Sequence, residues 1–69
     1  MKLQNGQIVL NAIEVNGATK LIECRVVEFV ASVGMYRLTD ARETKPDAWL
    51  IKNNRTWAAP AKNILTRIA

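Results

Sequence analysis

Residues 50–69 read LIKNNRTWAAPAKNILTRIA, and the parsing of this stretch decides the fold. Asn53-Asn54 is a turn signal, because asparagine tolerates the left-handed backbone that tight turns need. Residues 48–52, just before it, read as a strand. Together they predict a hairpin with Lys52 facing Arg55, Ile51 facing Thr56, Leu50 facing Trp57 and Trp49 facing Ala58. Pro60 suits the first position of a helix and cannot serve a central strand, so residues 60–64 read as one helical turn. Residues 65–68 then form a short closing strand.

The same grammar runs upstream. Turn signals fall at Asn5-Gly6, Asn16-Gly17, Ser32-Val33-Gly34 and Thr44-Lys45-Pro46-Asp47, with runs of Val, Ile, Leu and aromatics between them. Short strands at ~8–12-residue spacing read as an all-β sandwich or barrel. With about five strands, a barrel buries one face and leaves few open edges. The first strand is expected over residues 7–15. Asn16-Gly17 is a strong two-residue hairpin signal, since both residues accept positive φ. The second strand, residues 20–31, changes phase. Ile22, Cys24 and Val26 share one face, and then Val27 and Phe29 become the apolar pair. A slip of this kind inside one strand is what a β-bulge or a sharp barrel bend produces. A third strand follows Gly34 over residues 35–41, with Tyr36 and Leu38 on one face. "DARETKPDA", residues 40–48, is a polar loop.

The order of four strands, a helical turn opened by proline and a brief last strand resembles the SH3-like small barrel. "WAAPAKNILTRI", residues 57–68, is similar to the aromatic–x–x–Pro–x–x–Asn–aliphatic ending of such barrels. The resemblance implies a small five-stranded SH3-like barrel with a short 3-10 turn before the last strand, covering residues 1–69 as one domain. The chain lacks the acidic loop and the paired tyrosines that build the proline groove of the peptide-binding family, so polyproline recognition is not implied.

Composition narrows the function. A chain of 69 residues makes one domain with a thin core. Its hydrophobic fraction is 49% and its charged fraction 23%, which places it among folded globular proteins rather than disordered ones. One cysteine, Cys24, makes no internal disulfide, which favours a reducing compartment. No apolar run approaches the ~18–20 residues of a membrane span, and the amino terminus lacks a signal-peptide pattern. The expectation is a complete cytoplasmic protein with no membrane partner.

Chemistry has little to work with. There is no histidine, and Ser32, the single serine, lies in a turn signal. Cys24 sits mid-strand between Ile22 and Val26, where a free thiol packs as a small hydrophobe. Clustered metal ligands and a glycine-rich phosphate loop are both missing. No catalytic residue, metal site or cofactor is expected, and the chain reads as a non-enzyme.

Charge placement ranks the binding options. Residues 1–51 carry Lys2, Lys20, Arg25, Arg37, Arg42 and Lys45 against Glu14, Glu23, Glu28, Asp40, Glu43 and Asp47, which cancel. Lys52, Arg55, Lys62 and Arg67 are unopposed, so the whole net charge of +4 sits in the last eighteen residues. This asymmetry favours a polyanionic partner. The first reading is nucleic-acid binding by Lys52, Arg55, Lys62, Arg67 and Arg37, with Trp49 stacking on an unpaired base. Trp57 is read as core and Trp49 as the more exposed tryptophan. The rival reading is a protein-interaction module using Trp49, Ile51, Asn54, Arg55 and Trp57 on the apolar second face of the hairpin, with self-association into a homo-oligomer as a special case.

Overall fold

The computed structural model describes residues 3–66. Its strands are β1 (Ile8–Val15), β2 (Ala18–Val30), β3 (Met35–Asp40), β4 (Trp57–Pro60) and β5 (Ile64–Thr66). A short helix, α1 (Asp47–Lys52), lies between β3 and β4, and a 3-10 turn (Ala61–Asn63) lies between β4 and β5. The fold is all-β. The five strands form one curled antiparallel sheet in the order β4-β3-β2-β1-β5, closed about halfway to a barrel.

The first hairpin forms as its dipeptide requires. Val15 pairs with Ala18 across Asn16 and Gly17, whose φ angles are 52° and 80°. These angles belong to a tight hairpin turn whose twist matches that of the strands. β2 is long enough to serve two neighbours. Its first half pairs with β1 from Val15↔Ala18 to Ile8↔Arg25. Its second half pairs with β3, and there the register shifts between Val26↔Leu38 and Glu28↔Arg37, leaving Val27 as the extra residue. The apolar phase slip at Val26-Val27 therefore marks a β-bulge, and the bulge bends β2 between its two partners.

The inner face carries the core: Val9, Cys24, Val26, Tyr36, Leu38, Ala59 and Ile64, with Leu3 beneath and Ile22 and Trp57 packed against them. Alternation along each strand puts Arg25 and its partner Thr39 on the opposite, outer face.

Residues 48–52 depart from the expected strand, and the reason is physical. They cover that outer face as a helix. Asp47 pairs with Arg25 at 2.8 Å, and the Thr39 hydroxyl donates to the Arg55 carbonyl at 2.9 Å. Leu50 is fully buried outside the inner core cluster, as is all but 3% of Val27. A strand would have put Trp49 and Ile51 together on one side. A helix sends Leu50 inward alone and leaves Trp49, Ile51 and Lys52 exposed.

Asn53-Asn54 is correspondingly a helix stop and not a hairpin turn. Asn54 takes φ 60°, its amide donates to the Ile51 carbonyl, and the Arg55 amide donates to the Leu50 carbonyl at 2.8 Å. This is the Schellman arrangement, which needs one left-handed residue after the last helical turn. No strand pairs residues 48–52 with β4. Trp57 faces Leu38 of β3 instead of Leu50.

Pro60 ends β4, an edge strand, which is where a sheet tolerates a residue without an amide. The 3-10 turn follows as expected, and the closing strand starts one residue early at Ile64.

Candidate functional site

Two surface features stand out, one cationic and one a cleft. The cationic feature is built on α1. Trp49 and Ile51 are each 39% exposed, two large apolar side chains that reach solvent from one short helix. Lys45, four residues before Trp49, places its ammonium 5.4 Å from the centre of the indole ring, within cation–π range. Lys52, in the last helical turn, and Arg55, just past the cap, are both exposed. Neither makes an ion pair or side-chain hydrogen bond among the described residues.

The other arginines among the described residues are matched. Arg25 pairs with Asp47, Arg37 with Glu28 at 2.9 Å, and Arg42 with Asp40 at 3.1 Å. Arg37 also donates to the Thr56 hydroxyl at 3.2 Å, so its guanidinium is held between a carboxylate and the segment leading into β4. It offers a phosphate little. The side-chain and backbone hydrogen bonds of Arg42 hold the Asp40 carboxyl below its usual range, although the Arg42 side chain is exposed.

The expected cationic set is therefore divided. Lys52 and Arg55 lie together beside Trp49. Lys62 is exposed in the 3-10 turn, at the far end of β4. Arg55 is tied to Thr39, whereas Pro60 pairs with Met35. Four strand residues, about 13 Å, separate those anchor points. Arg67 lies outside the described residues. Lys45 joins the group instead. Its spacing of four residues from Trp49 was the available signal, hidden because residues 40–48 read as an undifferentiated polar loop.

The residues assigned to a hairpin surface also separate. Trp49 and Ile51 are on α1, Asn54 is committed to the helix cap, and Trp57 points to the interior. There its ring N–H donates to the Asn11 side-chain oxygen at 2.9 Å. Asn11 is 2% exposed, and its amide donates to the Asn63 carbonyl at 3.1 Å. One buried carboxamide thus joins β1, β4 and the 3-10 turn.

The cleft lies above that junction. It has a volume of about 510 Å³ and runs between Ala12, Ile13 and Glu14 of β1 and Trp57, Ala58 and Ala59 of β4. Cys24 takes no part in either feature. It is buried, its Sγ sits 3.1 Å from the Ile22 carbonyl, and burial pushes its thiol up.

Comparison with family models, curated proteins and solved structures finds no match for this chain. Among the described residues, no helix is long and apolar enough to cross a membrane.

Proposed function

We propose that this chain is a non-catalytic SH3-like barrel that binds single-stranded nucleic acid through the α1 surface. The observation that carries the reading is a contrast in charge pairing. Arg25, Arg37 and Arg42 have carboxylate partners, whereas Lys52 and Arg55 stay unpaired beside an exposed tryptophan. Ordinary folding requires neither the exposed indole nor the unmatched cations. Lys45, Lys52 and Arg55 are placed to contact phosphates, each as a point charge or fork that displaces counterions. Trp49 is the stacking platform, and exchange of the Lys45 ammonium for a base on that ring conserves the favourable contact. Duplex is the poorer ligand, because its bases are already stacked. Lys62 extends the field without joining the contact. A single buried thiol suits an intracellular site of action.

Titration of tryptophan fluorescence with oligo(dT) or oligo(U) tests this. Saturable quenching is expected, and Trp49→Phe should remove most of it. Three phosphate contacts on a single strand give a salt slope near −2, so a fourfold rise in salt should weaken binding about twentyfold. Lys52→Glu with Arg55→Glu should abolish binding, whereas Lys20→Glu with Lys62→Glu, an equal change in net charge, should weaken it only severalfold. Equal losses from the two pairs would reduce the effect to net charge and sink the site.

A further inference from the structure

The cleft between β1 and β4 is bounded by two strand edges with nothing paired to them. β5 covers β1 only at Val9, Leu10 and Asn11. From Ala12 to Val15, β1 pairs with β2 on one side and, among the described residues, with no strand on the other. β4 pairs with β3 and likewise has a free second side. Half of the peptide groups on such an edge point outward and need partners. A side-chain contact there is long, from the Asn11 amide to the Ala12 carbonyl at 3.5 Å.

Edges of this kind are usually blunted by lysine, proline or a bulge. Here Pro60 blunts only the end of β4, and Ala12, Ala58 and Ala59 leave the cleft walls low. Across the gap the Trp57–Asn11 hydrogen bond forms a floor that links inner-face side chains. A strand laid over that floor would need two interstrand spacings, roughly 10 Å, between its neighbours.

We propose that this cleft takes an extended peptide segment of a partner protein, added as a strand antiparallel to β1 and carrying a lysine or arginine opposite Glu14. The edges supply backbone hydrogen bonds, and the alternate side chains of the guest supply specificity. The charge argument selects the guest. Glu14 is the one ionisable group lining the cleft, it is exposed, and it makes no ion pair among the described residues. A carboxylate at that rim repels phosphates, so the nucleic-acid ligand of α1 is excluded here and a basic peptide is favoured. A guest strand would also complete the sheet between β4 and β1.

Selection from a displayed library of short random peptides tests the proposal, followed by amide chemical-shift mapping on the whole chain. Enriched peptides should alternate apolar residues with at least one lysine or arginine. Their binding should shift the amides of Ala12–Val15 and Trp57–Ala59 and leave α1 unmoved. Methylating alternate backbone amides of the peptide should cost about tenfold or more in affinity, because strand pairing needs those donors. Glu14→Lys, at an exposed position, should weaken the basic peptides severalfold and shift selection toward acidic ones. Lys52→Glu with Arg55→Glu, which removes the α1 cations, should leave the peptide-induced shifts at Ala12–Val15 and Trp57–Ala59 in place, which separates this site from the α1 surface. Failure to enrich any peptide, indifference to backbone methylation, or shifts confined to α1 would overturn the proposal. So would a concentration-dependent dimer that protects these same edge amides, since a second copy would then be the occupant.

Discussion

Asn11 shows how one polar residue fixes the interior of so small a protein. It is almost wholly buried, and both ends of its carboxamide are bonded, to Trp57 and to Asn63. Asn11→Ala would leave an indole donor and a backbone carbonyl without partners, at a cost of about 2–3 kcal/mol. Urea unfolding should show this as a lower midpoint. An Asn11→Ala midpoint equal to that of the parent chain would mean that water replaces the carboxamide without loss. Cys24 gives a pH prediction. Its thiol is raised above the ordinary value of 9.0, chiefly by burial. The native state then holds its proton where the unfolded chain has lost it. Stability from this group is complete below the unfolded value and falls as pH rises past it. Between about pH 8 and pH 10, the parent chain should lose more stability than Cys24→Ala does. Equal pH slopes would show that the thiol contributes nothing to the alkaline loss.

At the level of elements, the bulge and the first hairpin were legible and the helix was not. Asn16-Gly17 has one common use, and the phase slip at Val26-Val27 can be counted directly from the residues. Residues 48–52 are ambiguous because the segment is short. Trp, Leu and Ile favour strands, and six helical residues hold too few turns to display a period. The helical signals were nonetheless present in Pro46 and Asp47 at the start and Lys52 near the end. Asn54 misled because a left-handed residue serves a hairpin turn and a helix stop equally well. Its role makes a sharp prediction. Asn54→Gly should hold or slightly raise stability, and Asn54→Val should lower it by about 1–2 kcal/mol, as a branched side chain resists φ near 60°. Thermal unfolding of the two variants decides it, and indifference to both would remove the cap from the account.

For the molecule as a whole, the count of charges could be read from the chain but their pairing could not. Glu28 sits opposite Arg37 only because Val27 is the extra residue; without the bulge Val27 would hold that position. A one-residue irregularity in β2 thus decides which arginine is neutralised. Likewise Trp57 was legible as an interior residue from volume alone, whereas Lys45 joins Trp49 only through the loop that delivers α1. The strand edges that flank the cleft were invisible, because which pairings stop short is a property of the completed sheet.

The Trp57–Asn11 bond has a bearing on the order of assembly. It joins residues 46 apart in the chain, whereas the β1–β2 turn joins immediate neighbours. Closing so large a loop early is entropically costly, so this clasp belongs on the late side of the folding barrier. Asn11→Ala should therefore hasten unfolding and leave the refolding rate nearly unchanged. In stopped-flow traces, a slowed refolding limb would instead put the clasp in the nucleus. The last event of folding would then be the lacing of the two ends of the sheet, recorded by the indole that performs it.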